Sequence, residues 1–390
     1  MGSAGRSYLD HNASAPVRPE AAEAVARTLG FPGNPSSVHA EGRAARAALE
    51  RARAQVAALV GADPADVLFT SGGTEASAMV LTPGLRRAGG PGSTRLLTGA
   101  AEHPCVLHGH GFQAGRAERV AVDGDGVLDL ADLSRRLDAA EGEAVLLSVQ
   151  TANNETGAIQ PVAEAAALVR ERGGLVHTDA VQAAGKVPVN LPDLGADALT
   201  LSAHKLGGPK GVGAVVLASE RIELGDKLLR GGGQERGRRA GTENLPGIVG
   251  FGVAAEIAAR DLSAESARLG ALRDAAEVEL LRLAPDATIF GRDAARLPNT
   301  FCFAVPGLKA ETVLILFDLA GVSVSSGSAC SSGKVGRSHV LDAMGVAPGL
   351  AAGAIRVSFG WNSGRDDVFR FSKACETAVA TLYRRKARAA

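Results

Sequence analysis

The sequence predicts an α/β fold, with a large domain built on a mainly parallel β-sheet and a smaller α+β domain towards the carboxyl end. In the first two thirds of the chain, short apolar β-rich runs alternate with longer helical patterns. This alternation is typical of parallel sheets that helices cover on both faces. A chain of 390 residues that is 46% hydrophobic can bury a large core and is long enough to divide into two domains.

The large domain is expected over residues 16–260. A long helix is indicated at 38–60, where Ala, Arg and Glu dominate, and a second helix at 162–172 after Pro161. The predicted strands are short runs rich in apolar residues. They cover residues 66–70, 95–98, 144–149, 174–178, 198–202 and 213–217.

The small domain is expected over residues 261–390, joined by the amino-terminal arm, residues 1–15. A long helical pattern at 247–283 leads into it, and the strands that follow are fewer. The remaining predicted elements are strands at 300–304, 322–324 and 354–358 and helices at 309–319 and 365–385.

Composition argues against several classes of function. The net formal charge is zero, which gives no support to bulk electrostatic binding of nucleic acid or of anionic membranes. The sequence shows no apolar run of 18 residues and no secretory signal at its start, so we expect a cytoplasmic protein without a membrane span. The four cysteines form no CxxC pair, so neither a metal site nor a disulfide framework is expected.

A candidate anion site follows the first predicted strand. Residues 70–75 read Thr-Ser-Gly-Gly-Thr-Glu and open a helical pattern. Glycines let backbone N–H groups approach an anion closely, and the start of a helix favours negative charge. Gly73 and Thr74 are therefore candidate phosphate-binding residues. An ordinary strand-to-helix turn with a threonine cap is the alternative.

Two further polar residues directly follow predicted strands, where α/β proteins place their ligands. Asp179 could keep a pyridinium nitrogen protonated, although it could equally cap the next helix. Lys205 follows His204, precedes a Gly-rich turn and is one of only eight lysines. It is a candidate Schiff-base lysine, because a desolvated site would lower its pKa. A solvated loop lysine is the alternative, and Lys210 is the weaker candidate of the two.

Cys330 lies in a run of Ser and Gly over residues 325–333, whereas Cys302 and Cys375 lie in patterns typical of core residues. The run predicts an exposed loop that could deliver a reactive thiol to a site. A cysteine without a chemical role is the alternative. Arg356 is the single arginine of a β-rich run and could bind a carboxylate through two parallel hydrogen bonds.

Blocks of residues along nearly the whole chain, in order, resemble the cysteine desulfurases of the NifS/IscS type. The blocks are residues 8–13, 33–39, 70–75, 102–104, 153–157, 177–182, 202–211, 231–244, 325–330 and 355–358. The resemblance implies a fold-type-I PLP-transferase with a seven-stranded sheet, where PLP is pyridoxal 5'-phosphate. It also implies conversion of L-cysteine to L-alanine, with the sulfur held as a persulfide on Cys330 in a loop at about 323–335.

The resemblance implies roles for individual residues. Lys205 would bind PLP covalently and later remove the Cα proton, Asp179 would pair with the pyridine nitrogen, and His103 would stack on the ring and act as acid or base. Asn154 and Arg356 would bind the substrate carboxylate. The other cofactor contacts would come from Gln182 at the ring phenolate and from Gly73, Thr74, Ser202, His204 and, across a homodimer interface, Thr242 at the phosphate.

Other functions stay open at this point. A selenocysteine lyase or a sulfinate-processing relative would not need Cys330, an aminotransferase would need a keto acid, and an inactive scaffold protein would lack the cofactor. The expected partner is an acceptor of sulfur, most simply an iron–sulfur scaffold protein. Nitrogenase clusters, general iron–sulfur assembly and tRNA thiolation are all compatible, and residues 331–341 mildly favour cluster supply. Cys105 stands where the family usually has a small residue, and we expect it to serve packing.

Overall fold

A computed structural model describes residues 5–327 and 337–389, with side chains as far as residue 381. Cys330, and with it most of the expected catalytic loop, lies outside the described residues. The strands are β1 (Ser7–Tyr8), β2 (Val67–Thr70), β3 (Leu85–Arg87), β4 (Arg95–Gly99), β5 (Ala117–Val120), β6 (Val145–Gln150), β7 (Leu175–Asp179), β8 (Ala198–Ser202), β9 (Gly213–Leu217), β10 (Ile222–Leu224), β11 (Thr288–Phe290), β12 (Thr300–Ala304), β13 (Val322–Ser323), β14 (Ser325–Ser326) and β15 (Ile355–Ser358). The helices are α1 (Pro19–Leu29), α2 (Ala40–Leu59), α3 (Gly73–Val80), α4 (Pro104–Leu107), α5 (Leu130–Ala139), α6 (Val162–Glu171), α7 (Leu191–Leu194), α8 (Leu245–Leu283), α9 (Ala310–Leu319), α10 (His339–Ala343), α11 (Pro348–Ala351) and α12 (Arg365–Ala389).

The largest sheet has seven strands in the spatial order β2-β9-β8-β7-β6-β4-β5. Strands β8, β7, β6, β4 and β5 are parallel neighbours, whereas β9 runs antiparallel to both β8 and β2. The predicted seven-stranded, mainly parallel sheet is therefore confirmed.

Alternate residues of each central strand pack into different cores. In β6, Leu147 packs on one face with Val56 of α2 and Phe251 of α8. Its neighbour Leu146 packs on the opposite face with Met79 of α3. Helices thus cover both faces of the sheet, which explains why the strand sequences are almost continuously apolar.

A further core surrounds a four-stranded antiparallel sheet in the order β11-β12-β15-β14. Phe301 of β12 lies edge-on to Phe371 of α12, with ring centroids 5.7 Å apart. Leu9, from the amino-terminal arm, packs into the same core, and β1 beside it pairs with β13. The arm therefore contacts this smaller sheet and carries the residues after Leu9 towards the large one.

Helix α8 joins these two cores as one helix of 39 residues. Its residues as far as Ala258 pack under the seven-stranded sheet, and its residues from Leu269 onwards pack on the smaller one. The predicted boundary at residue 260 falls between these two groups and stays a prediction. Across the described parts of the chain, no helix combines the length and apolar character needed to cross a bilayer.

Several short elements differ from the sequence prediction. The strand expected at 322–324 is β13, which pairs with β1, and a separate strand that was not predicted, β14, follows it and pairs with β15. Strands β1, β3, β5, β10 and β11 were not predicted, since two to four residues are too few to show an alternating pattern. The helix expected from residue 38 begins at Ala40, where the His39 side chain accepts a hydrogen bond from the Gly42 amide.

Candidate active site

A cavity of about 220 Å³ opens at the carboxyl edge of the seven-stranded sheet. Strands β6, β7 and β8 end beside it, and helix α3 begins there. Because parallel strands end at one edge of a sheet, polar residues that are distant in sequence meet at this edge. The residues lining the cavity are Gly73, Thr74, His103, Cys105, Gln150, Ala152, Asn154, Asp179, Val181, Gln182, Ser202, His204 and Lys205.

Lys205 lies in the 3₁₀ turn that directly follows β8. Its Nζ donates to the backbone carbonyls of Asn12 and Ala13, at 2.9 Å for Ala13. Both acceptors are neutral and belong to the amino-terminal arm. The arm therefore holds the amine of Lys205 at the cavity without pairing it with a carboxylate through these bonds.

Asp179 is the last residue of β7 and is buried. Its Oδ1 accepts a hydrogen bond from the Val181 amide at 2.9 Å. Burial raises the pKa of Asp179 to about 6, and this amide and the positive charge of Lys205 oppose the rise. At neutral pH the cavity therefore holds a carboxylate, which could pair with a cationic ring nitrogen.

His103 caps the amino terminus of α4, and its Nδ1 accepts a hydrogen bond from the Cys105 amide at 3.1 Å. An imidazole that accepts at Nδ1 carries its proton at Nε2 when it is neutral. Burial, assisted by the charges of Lys205 and His339, lowers the pKa of His103 to about 4. The ring is thus uncharged at neutral pH and can lie flat against an aromatic ligand.

Gly73 and Thr74, the first residues of α3, line the cavity at a helix amino terminus, which favours negative charge. A Cβ on Gly73 would lie 3.1 Å from Val181 Cγ2, so the absence of a side chain lets the backbone approach the next loop closely. Ser202 and His204 line the cavity together with this turn, and His204 Nδ1 lies 3.3 Å from Ser14 Oγ. Burial lowers the pKa of His204 to about 4, so this ring is also neutral at pH 7.

Asn12 of the arm forms hydrogen bonds with two residues that line the cavity, Gln182 and Asn154. Gln182 Nε2 donates to the Asn12 carbonyl at 3.0 Å, and Asn12 Nδ2 donates to the Asn154 carbonyl at 3.2 Å. The side chain of Asn12 also donates to Thr300 Oγ1 at 2.8 Å. Asn12 therefore connects these two residues to Thr300 of the smaller sheet.

Arg356 does not line the cavity but lies directly behind it, fully buried in β15. Its Nη2 forms an ion pair with Asp10 Oδ1 at 2.8 Å, and its Nη1 donates to the Asn154 carbonyl at 3.2 Å. Asp10 Oδ2 in turn accepts from Ser325 Oγ at 2.8 Å. Arg356, which is predicted to bind the substrate carboxylate, is thus already paired with Asp10 inside the protein. The sequence did not indicate this ion pair.

The remaining predicted site residues are Thr242 and Cys330. Thr242 is exposed and lines a separate cavity with Ser71 and Arg239. Cys330 lies outside the described residues, but the chain on either side of it is described. Ser338, which follows this segment, donates to the buried carboxylate of Glu155 at 2.6 Å.

Sequence reasoning missed three residues that line the cavity, namely Gln150, Ala152 and Val181. Gln150 is the last residue of β6 and lies opposite Asp179 in the sheet register. The strand-end rule that selected Asp179 would also have selected this residue. Among the described residues, no group of three His, Cys, Asp or Glu side chains is arranged to hold a metal ion.

Comparisons with known proteins agree with this geometry. The model of the family described as Aminotransferase class-V matches residues 7–371. A cysteine desulfurase of Cereibacter sphaeroides is 45% identical over 363 residues and 90% of each chain. The NifS-like protein of Rickettsia africae superposes with a TM-score of 0.86 at 32% identity, over 96% of this chain and 99% of that one. SspA, solved in complex with cysteine, superposes with a TM-score of 0.75 at 28% identity, over 90% of this chain and 98% of that one.

Proposed function

Because the chain belongs to the cysteine desulfurases of the class-V aminotransferase family, which mobilise sulfur from cysteine, we propose that its cavity binds PLP at Lys205 and that Cys330 accepts the sulfur. One observation carries the proposal. Lys205, Asp179 and His103 line a single cavity together with the first residues of α3. Class-V aminotransferases are generally PLP-dependent, and this set of residues is what such a cofactor requires.

The chemistry of the cavity fits each part of PLP. The cofactor needs an amine for its aldehyde, a carboxylate for its ring nitrogen and a flat neutral group for its ring face. Lys205, Asp179 and His103 match these needs. Backbone amides and hydroxyls at the start of α3, with Ser202, match the phosphate. When bound, PLP would act as an electron sink for the bonds at the substrate Cα.

Lys205 and His103 would move protons in this reaction. Lys205 lines the cavity, so its amine, in its unprotonated form, can serve as the base that takes the Cα proton of L-cysteine. His103 Nε2 carries the proton of a neutral imidazole, because Nδ1 is engaged by the Cys105 amide. That proton can be donated to the three-carbon part of the substrate when its Cβ–S bond breaks, and a proton can later be taken up again at Nε2.

Cys330 would act as the sulfur acceptor, in its thiolate form. The thiolate attacks the substrate sulfur, so an S–S bond forms while the Cβ–S bond breaks. The proton taken from Cα returns there, one of the two thiol protons goes to Cβ, and the other stays with the persulfide. L-cysteine and the Cys330 thiol therefore become L-alanine and a Cys330 persulfide, and the atoms and electrons balance without an external oxidant.

Asn154 and Arg356 would recognise the substrate carboxylate. Asn154 lines the cavity, and Arg356 lies behind it with its Nη1 on the Asn154 carbonyl. A guanidinium has five donors, so the ion pair with Asp10 leaves donors for a second anion. A substrate carboxylate would thus meet a positive charge that Asp10 already partly balances.

We further propose that the persulfide serves iron–sulfur cluster assembly, through an acceptor or scaffold protein in the cytoplasm. The active unit would be a homodimer in which Thr242 contacts the cofactor phosphate of the other subunit. Its exposure and its position outside the chain's own cavity support this role. The small domain, residues 1–15 and 261–390, would carry the Cys330 loop to the cavity of the large domain, residues 16–260.

Replacing Cys330 by Ala tests the proposal. The variant should keep the visible absorbance of bound PLP but should form no alanine from L-cysteine. Cys375→Ala is the matched control, because this thiol is buried in α12 away from the cavity, and it should keep full activity. Alanine formation at the normal rate by Cys330→Ala would instead indicate an enzyme that does not use this thiol, such as a selenocysteine lyase.

A further inference from the structure

Lys186 is a buried cation behind the cavity wall. It is 7% exposed and follows the short turn after β7 that carries Gln182. Its Nζ donates to the Gln182 carbonyl at 2.9 Å, to Gln182 Oε1 at 3.0 Å and to Asn12 Oδ1 at 3.4 Å. All three acceptors are neutral, and within the described ranges no carboxylate forms an ion pair with this ammonium.

The charges around Lys186 are positive as well. Lys205 follows β8 and Arg356 lies in β15, and both act on Lys186. His11 of the arm and His204 also face it, and both are neutral at pH 7. A buried cation without an anionic partner reduces stability, so such a residue is better explained by function than by folding. Burial, with the charge of Lys205, lowers the pKa of Lys186 to about 7.

A hydrogen bond from Lys186 helps to fix the orientation of the Gln182 side-chain amide, and Gln182 lines the cavity. The amide of Gln182 could point either way, because its oxygen and nitrogen have the same shape. Lys186 donates to Oε1, and only an oxygen can accept there. This bond turns Nε2 towards the Asn12 carbonyl, which also accepts from the Lys205 amine. Lys186 and the Asn12 carbonyl therefore together determine the orientation of the Gln182 amide.

We propose that Lys186 is a positioning residue, whose ammonium holds the Gln182 amide with its donor towards the cavity and disfavours a second positive charge on Lys205. The inference rests on the proposed attachment of PLP at Lys205. It assigns a task to a lysine that does not line the cavity itself. Without this cation, Gln182 would lose the bond to its Oε1 and could rotate more freely, and the nitrogen of Lys205 would hold a proton more readily.

A pH titration of the visible absorbance of PLP-loaded protein tests the charge effect without any turnover. In Lys186→Met the midpoint of the absorbance change should move up, by as much as roughly one pH unit at pH values where Lys186 still carries its proton, because that nearby positive charge is lost. Lys186→Arg keeps the charge, so its midpoint should lie close to that of the unaltered protein. Lys373→Met is the control, since Lys373 is an exposed lysine of α12, and its midpoint should not move.

Thermal unfolding separates this role from a merely structural one. Met replaces a buried charge by an apolar chain of similar length, so Lys186→Met should unfold at the same temperature or higher. A Lys186→Met titration that superposes on that of the unaltered protein would overturn the inference. So would loss of the folded state, because a cation required for folding is a structural residue. If the unaltered protein gives no visible band with PLP, the proposed function itself fails instead.

Discussion

The two sides of the cavity are positioned by different kinds of interaction. The strand-edge side consists of Asp179, Ser202 and Lys205, which end or directly follow neighbouring parallel strands. The ladder between β7 and β8 aligns Asp179 with Thr200, so the hydrogen bonds of the sheet place these residues. Backbone pairing therefore places these residues, although the Lys205 amine also bonds Asn12 and Ala13 of the distant arm.

The arm side lies behind the cavity wall and consists of Asp10, Glu155, Ser338 and Arg356. Side-chain contacts between distant segments form it. The Arg356–Asp10 ion pair joins residues 346 positions apart, and the Ser338–Glu155 bond joins residues 183 positions apart. Each contact thus helps to form the site and also holds two parts of the chain together. Substitutions on the strand-edge side should change chemistry alone, whereas those on the arm side should change chemistry and stability together.

The largest effect is expected at Lys205, on the strand-edge side. Lys205→Ala removes both the attachment point for PLP and the base, so alanine formation should fall at least about 1,000-fold. The unfolding free energy of the cofactor-free protein, measured in urea, should change by less than about 1 kcal/mol. Lys210→Ala is the control from the same Gly-rich turn. A borohydride-trapped cofactor on another lysine of Lys205→Ala would contradict the assignment.

Arg356→Gln is expected to have the next largest effect, and it is the main test of the arm side. Loss of the guanidinium should raise the KM for L-cysteine by about 10- to 100-fold, because a charged hydrogen-bond partner of the carboxylate is gone. The same change leaves Asp10 without its partner, so the unfolding free energy should fall by about 3 kcal/mol.

Asp10→Asn checks whether that loss of stability comes from the ion pair. It leaves Arg356 buried without its anion and should cost a similar amount of unfolding free energy. The double variant with Arg356→Gln should then lose less unfolding free energy than the sum of the two single losses. Additive losses would show that the pair does not connect the arm to the sheet, and the contrast between the two sides would disappear.

The same contrast explains what the sequence could predict. Lys205 and Asp179 were identifiable because their position depends on a local pattern, a polar residue at the end of an apolar strand. Arg356 was selected for its place in a β-rich run, but its partner Asp10 was not, since no local signal relates residues so far apart. Lys186 was missed because its sequence neighbours suggest a turn and do not indicate burial. Its environment comes from Asn12 and Gln182, which only the folded chain brings together.

A smaller, pH-dependent effect is expected at Glu155, on the arm side. Burial raises the pKa of Glu155 to about 7, against the Ser338 hydrogen bond and the charge of Arg356. The folded protein therefore holds a proton that the unfolded chain releases near pH 4.5. The stability contributed by Glu155 is complete below that pH and is lost as the pH rises through about 7.

Glu155→Gln should remove this pH dependence. Relative to the variant, the unaltered protein should lose about 1 kcal/mol of unfolding free energy between pH 6 and pH 8. Urea unfolding at several pH values measures the difference, and the other titrating groups cancel because both proteins contain them. Ser338→Ala is the companion variant, since it removes the hydrogen bond but keeps the carboxyl group. Parallel curves for Glu155→Gln and the unaltered protein would show that the carboxyl group ionises normally.

The smallest effect is expected at Cys105, a thiol of α4 that lines the cavity. Burial, with the charge of Asp179, raises the pKa of Cys105 to about 12, so only about one molecule in 10⁴ holds the thiolate at pH 8. Its Sγ donates to Ser77 Oγ at 3.7 Å, which is a packing contact rather than a reactive arrangement.

Cys105→Ala should therefore keep alanine formation within about threefold of normal. Iodoacetamide at pH 8, followed by mass spectrometry, should leave Cys105 unmodified in the folded protein and should modify Cys330. Rapid alkylation of Cys105, or a tenfold loss of activity in the variant, would place a second reactive sulfur beside Lys205.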